Sequence, residues 1–292
     1  MSKLITVFGS TGKQGGSVAR ALLDKGFKVL GVTRNPDSDK AQALKQLGAE
    51  MRKGNLDEQA SVDAVVEGAY GVFLVTNYWE YSSADREMAQ AKTVVAACKK
   101  FGVQHLVFSG LDPVKEVTGK DCPHFDSKAA IEKLLDKSGI PNTSVRYSAY
   151  FENFLEPLMI QKQDDGTNLW TVCMKGPMDG VSVEDAGPAV ASVFANREEF
   201  LGRKIGLSSE KITPEQYMDI LSKVLGKTFK YQYVPFEVYA KFPFPAADDM
   251  AAMWDFYENG NPDRDVALTK RLNPKTRDFE TWARDNKANF KF

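Results

Sequence analysis

At 292 residues the chain is about twice a usual domain, and its 43% hydrophobic and 26% charged residues exclude a disordered or collagen-like polymer. Lys plus Arg number 38 against 39 Asp plus Glu, so no global field draws in a phosphate backbone and nucleic acid is a poor partner. Three scattered cysteines (Cys98, Cys122, Cys173) with no CxxC pair, two histidines (His105, His124), no bilayer-length apolar run and a strand signal in place of a secretory leader predict a soluble, cytoplasmic, metal-free protein with reduced thiols.

In chain order, residues 4–8 are a compact β-rich run closed by Gly9. Ala19, Leu22 and Leu23 then recur on one helical face between Gly16 and Gly26. Strands follow at 27–33 and 49–53, with a helix at 40–47 between them and another at 57–67 after. Residues 72–75 read as a strand buried on both faces, 84–101 as a long helix, 103–108 as a strand, 124–137 as a helix and 143–147 as a strand. Strands alternating with helices at this spacing predict right-handed βαβ units, hence an α/β Rossmann fold with a doubly wound parallel sheet. Past residue 150 the rhythm breaks. Strands are expected at 169–174, 204–207 and 229–234, helices from about Glu184 and after Thr213, and a mostly helical tail from 246 onward. The expected division is 1–152 for the nucleotide-binding domain and 153–292 for a smaller mixed α/β domain, with part of 178–208 returning to the main sheet. Aromatics crowd this second half (Phe236, Tyr239, Phe242, Phe244, Trp254, Phe256, Tyr257, Phe279, Trp282), as an aromatic core or as a lid over the sheet edge.

The chemistry-bearing motif is Gly9-Ser10-Thr11-Gly12-Lys13-Gln14-Gly15-Gly16, where the first strand passes into the first helix. Gly9 permits the tight turn, Gly12 lets backbone approach a pyrophosphate, and Gly15 allows close helix–strand contact. Free N–H groups at the helix start favour an anion there. A Walker A loop fails, because Gln14 follows Lys13 where a magnesium-binding Ser or Thr belongs. After the second strand stand Thr33-Arg34-Asn35-Pro36, a cation with no carboxylate to grip a ribose hydroxyl. This predicts NADP(H) over NAD(H), with Arg34 on the 2′-phosphate.

Together with Asn77-Tyr78-Trp79-Glu80, His124-Phe125-Asp126, Tyr150-Phe151-Glu152-Asn153 and Pro262-Asp263-Arg264-Asp265, these residues resemble the NmrA-like branch of the atypical short-chain dehydrogenase/reductase superfamily over essentially the whole length. The resemblance implies that Gly9, Ser10, Thr11, Gly12, Lys13, Gln14 and Arg34 hold the adenine half of NADP(H). It places Asn55 and Leu56 beside the adenine, with Asn55 where relatives carry Asp. Thr76, Asn77 and Tyr78 would line the middle of the cofactor, and Lys128, Tyr150, Phe151, Glu152 and Asn153 the nicotinamide end.

Active reductases of the superfamily use a Tyr and a Lys four residues apart, with a Ser at the end of the preceding strand. Here Ser109 and Lys128 are present, but His124 stands at the Tyr position. A lysine cation one turn away disfavours the imidazolium, so His124 reads as a plain helix residue. The resulting expectation, with the resemblance, is a catalytically inactive NADPH-binding redox sensor. Its conformation and association would follow the NADPH/NADP+ state through an aromatic, carboxylate-poor ring site. The resemblance also implies a homodimer, a cytoplasmic and nuclear or perinuclear location and a regulatory protein partner such as argininosuccinate synthase. The alternative is an NADPH-dependent reductase of quinones or related carbonyls using Lys128, with His124 and Ser109. No base is identifiable near the three cysteines, and Asp248-Asp249 have no partner at metal spacing.

Overall fold

The computed structural model describes residues 2–156 and 159–292. Seven strands build one all-parallel sheet: β1 (Leu4–Val7), β2 (Lys28–Thr33), β3 (Glu50–Lys53), β4 (Gly71–Leu74), β5 (His105–Gly110), β6 (Asn142–Tyr147) and, after β7 (Ala149–Tyr150), β8 (Gln161–Lys162), β9 (Asn168–Val172) and β10 (Met178–Val181), the distant β11 (Lys204–Leu207). Their spatial order is β11-β6-β5-β4-β1-β2-β3, a doubly wound topology whose order reverses between β1 and β4.

Period-two alternation feeds both faces. Ile5, Val7, Phe73, Val107 and Val145 face one side, under α1 (Lys13–Asp24), with α2 (Asp39–Gln46) beyond β2. Phe8, Val72, Leu74, Leu106 and Phe108 face the other, under α3 (Gln59–Val66) and α4 (Ala84–Lys100). After α5 (Val114–Thr118), which the apolar periodicity did not reveal, α6 (Pro123–Ser138) adds Ile131 and Leu135 to that second face. α7 (Val183–Ala195) returns from the second half to lie against α1, placing Val190 and Phe194 in the first core.

The remaining elements are α8 (Arg197–Phe200), β12 (Glu210–Ile212), α9 (Pro214–Leu225), β13 (Phe229–Tyr233), α10 (Phe236–Tyr239), α11 (Ala247–Asn259), α12 (Val266–Leu272) and α13 (Phe279–Asp285). Two three-stranded sheets, β12-β10-β7 and β13-β9-β8, belong to this half. Its core is aromatic: Tyr217 meets Phe279 with ring centres 4.7 Å apart, stacks on Phe154 at 5.2 Å, and joins Trp170 and Trp282 in one buried cluster. Of the expected aromatics, Tyr239, Trp254 and Phe256 are buried there too, whereas Phe244 is exposed.

A buried charge network ties this half to the carboxyl edge of β5 and β6. Arg264, 1% exposed, donates to Asp112 Oδ2 at 2.6 Å; Arg146 donates to Asp112 at 2.8 Å and forks onto Glu132 at 2.5 and 3.0 Å. Every charge has a partner, so removing one would strand the others in low dielectric. Among the described residues no helix is long and apolar enough to cross a membrane.

Candidate functional site

The glycine turn folds as its spacing demands. Gly9 takes φ +63°, and its carbonyl accepts from Gly12 N–H at 2.8 Å. A Cβ on Gly15 would sit 2.3 Å from Gly9 O, so α1 can start this close to β1 only with glycine there. Gly12 caps α1 without a side-chain bond, and no acidic residue lies in the first turn. The N–H groups of Lys13, Gln14 and Gly15 therefore lack intrahelical acceptors and point out past the sheet's carboxyl edge. This cradle fits a pyrophosphate. Ser10 Oγ is turned inward onto Val32 O at 3.0 Å, and Thr11 Oγ1 meets Thr33 Oγ1 at 3.1 Å, so both brace the turn against β2.

Three side-chain contacts roof this edge. Arg34, after β2, pairs with Glu80, in the short turn of helix Tyr78–Glu80 after β4. Because β1 lies between β2 and β4, that pair spans the glycine turn. Lys13 Nζ meets Glu156 at 2.7 Å, and Gln14 Nε2 donates to the Tyr150 hydroxyl, linking the start of α1 to the segment after β6. Arg34 thus has an acid opposite it, contrary to the expectation of an unopposed guanidinium. Glu80 was invisible as its partner because 46 residues separate the two.

Lys128 is also engaged. Its Nζ donates to Glu87 Oε1 at 2.5 Å and to Thr76 O and Oγ1 at 2.9 Å each, which uses all three of its protons. Burial pulls its pKa down while Glu87, 1% exposed, works in the opposite direction. Thr76 is buried beneath this contact, Asn77 is exposed, and Tyr78 is half-buried, its phenol pushed up by burial and by the fields of Asp249 and Glu87. Ser109 is buried near the end of β5. Tyr150 is raised to about 12, mainly by burial, and stays a neutral phenol.

Other expected residues serve the scaffold. Phe151 lies in the aromatic core, 5.1 Å from Phe279 and 5.6 Å from Trp282, so its ring has no cofactor to face. The Glu152 carboxylate accepts from Ser182 Oγ at 2.7 Å and Val183 N–H at 3.0 Å, capping α7. Asn153 is half-buried beside it. Asn55 closes an Asx turn on Asp57 N–H at 3.1 Å and donates to Glu58 at 2.7 Å, while Leu56 packs on the sheet core.

His124, second residue of α6, departs most from expectation. Its Nδ1 lies 2.6 Å from Asp249 Oδ1 on α11, with both side chains under 10% exposed. Cys122 Sγ sits 3.7 Å from the same nitrogen, and the three ligand atoms fall within 4.8 Å of one another. Cys122 therefore has a base beside it, and Asp249 has partners, both against the sequence reading. Burial, aided by Asp249, pushes the Cys122 thiol well up, so it remains protonated. The lysine cation held to silence His124 is compensated by Glu87 instead, and the site is not poor in carboxylates. Asp249 carried no local signal, since it is brought in by a helix 125 residues away.

A model of the NmrA-like family matches residues 1–283. The chain belongs to the NmrA-like family. It is 35% identical over 254 residues to an NmrA-like family domain-containing protein of Dictyostelium discoideum, covering 82% of this chain and 83% of that one. It is 32% identical over 284 residues to an NmrA-like family domain-containing oxidoreductase of Malbranchea aurantiaca, covering 88% and 84%. Among solved structures, NmrA, a negative transcriptional regulator, in complex with NADP superposes with a TM-score of 0.84 at 22% identity over 97% of this chain and 95% of that one. The triphenylmethane reductase of Citrobacter sp. complexed with NADP(H) gives 0.80 at 24% identity over 97% and 99%.

Proposed function

We propose that this protein binds NADP(H) and acts as a regulator whose conformation and association follow the cofactor. The observation that supports this is the roof of contacts over the glycine turn: Arg34 with Glu80, Lys13 with Glu156, and Gln14 with Tyr150. A ligand shifts a conformational equilibrium only through contacts that differ between the states. Here the groups suited to the cofactor's phosphates already hold partners on other loops. Exposed ion pairs are worth ~0–1 kcal/mol each. Charge-assisted bonds to a 2′-phosphate are worth about 1.5–3 kcal/mol. The phosphate therefore outcompetes Glu80 and frees the Tyr78–Glu80 turn, on which Trp79 and Tyr81 are exposed. Trp79 and Tyr81 then supply the surface whose presentation changes for a partner or a second copy.

The test is titration with NADPH, NADP+ and NADH beside sedimentation velocity. Tight NADPH binding with a changed sedimentation coefficient is the expected result. Equal binding of all three with no change in size would refute the reading.

A further inference from the structure

We infer that Cys122, His124 and Asp249 form a site for a zinc-class divalent ion that clamps the start of α6 to α11. The inference goes beyond the cofactor reading and needs no nucleotide.

The fold assembles this site from two separate stretches of chain. Cys122 caps α6 and His124 is the second residue in it, so both leave the same turn, while α11 brings Asp249 from the other half. All three side chains are buried, and one donor atom from each lies within 4.8 Å of the other two. The donors are a sulfur, an imidazole nitrogen and a carboxylate oxygen. Such a set suits Zn2+ or Co2+ and not the oxygen-seeking Mg2+ or Ca2+. The charges also close: a thiolate and a carboxylate offset a divalent ion, so the loaded site is neutral where an unpaired charge would be costly.

The distances accept a tetrahedral ion after one small movement. Metal bonds of about 2.3 Å to sulfur and about 2.0 Å to nitrogen put those two donors roughly 3.5 Å apart. Cys122 Sγ and His124 Nδ1 stand 3.7 Å apart. The same construction asks for about 3.3 Å between nitrogen and carboxylate oxygen. A shared proton holds Nδ1 and Oδ1 at 2.6 Å, so the Asp249 carboxylate swings back by roughly 0.7 Å when an ion takes that proton's place.

Binding exchanges protons for metal bonds, and no oxidation state changes. The Nδ1 proton moves to Nε2, which takes no hydrogen bond among the described residues and is not sealed from solvent. Nδ1 then gives its lone pair to the ion. The Cys122 thiol, kept protonated by burial and by Asp249, loses its proton to solvent as the sulfur–metal bond forms, because the cation cancels the field of the carboxylate. Asp126 steadies the donors: its carboxylate accepts from Cys122 N–H and from Lys115 N–H, each at 3.0 Å. Three protein ligands leave the fourth position to water. Trp79 is 48% exposed and lies over the His124 ring at 4.8 Å between ring centres, so the way in from solvent passes this ring.

The experiment titrates the chelator-treated, full-length protein with Co2+ and follows its absorption, then repeats the titration calorimetrically with Zn2+. One ion per chain should bind, with the intense visible bands of a tetrahedral site and a thiolate-to-cobalt charge-transfer band in the near ultraviolet. Cys122→Ala should abolish that band, and Cys122→Ala and His124→Gln should each weaken Zn2+ by about a hundredfold or more, the most that loss of an outer partner alone would cost. Asp249→Asn should weaken it by at least about tenfold. Cys173→Ala should keep both the band and the affinity. Zn2+ should raise the Tm of wild type and leave that of Cys122→Ala where it was. No Zn2+ binding, a weak octahedral Co2+ spectrum, a charge-transfer band that survives Cys122→Ala, or undiminished affinity in His124→Gln overturns the inference and leaves the regulatory reading standing. If the variants do not fold, X-ray absorption at the zinc edge of the wild-type protein decides: one sulfur in the coordination shell supports the site, and none overturns it.

Discussion

Neutralising Glu80 should tighten NADPH binding and leave NADH binding unchanged. The Arg34 side chain is 73% exposed and that of Glu80 27%, so their pair belongs to the weak surface class. Such a pair contributes at most about 1 kcal/mol, and removing the competing acid should strengthen NADPH binding by up to about fivefold. Arg34→Ala removes the phosphate contact itself, worth about 1.5–3 kcal/mol, and should weaken NADPH by roughly ten- to a hundredfold. In that background Glu80→Gln should add nothing, because the two residues act through one contact. NADH has no 2′-phosphate and should respond to neither change. Isothermal calorimetry on the four proteins with both nucleotides measures all of this. Weaker NADPH binding in Glu80→Gln, or an equal gain for NADH, would refute the reasoning.

Three further outcomes are expected. Lys128→Met leaves Glu87 buried and uncompensated and should cost about 3–5 kcal/mol in urea denaturation, while adding Glu87→Gln should recover part of the loss. Gly187→Ala would place a methyl 2.1 Å from Ser17 Oγ and 2.6 Å from its carbonyl carbon, so α7 must move off α1 at a cost of about 2 kcal/mol or more, readable by the same method. His105 is fully buried and held down to about 4 by desolvation, with Arg197 and Lys3 adding repulsion. The unfolded chain takes up that proton near pH 6.5 and the folded one only near 4, so stability should fall as pH drops through this window, by up to about 3 kcal/mol. His105→Gln should remove this part of the acid sensitivity in unfolding curves.

The strand and helix alternation of the first half was legible because each βαβ unit buries a local apolar pattern. The glycine turn was legible because its steric demands fall on adjacent residues. What could not be read were pairings over long separations. Glu80 opposite Arg34, Glu87 under Lys128 and Asp249 on His124 are each set by the order of strands or by a helix from the other half. The roles of Phe151 and Glu152 were missed for a related reason: proximity in sequence to the nicotinamide end does not say which way a side chain turns. One faces the aromatic core and the other caps α7. The spacing of His124 and Lys128 shows only the charge on their own helix, whereas α4 brings Glu87 to Lys128 and α11 brings Asp249 to His124.

Hydrogen exchange across the roof of the glycine turn tests the central claim most directly. At matched saturation, NADPH and NADH should both slow exchange at the amides that open α1, while only NADPH should speed exchange in residues 78–83 by drawing Arg34 from Glu80. Identical patterns for the two nucleotides, or no change in 78–83, would contradict the account.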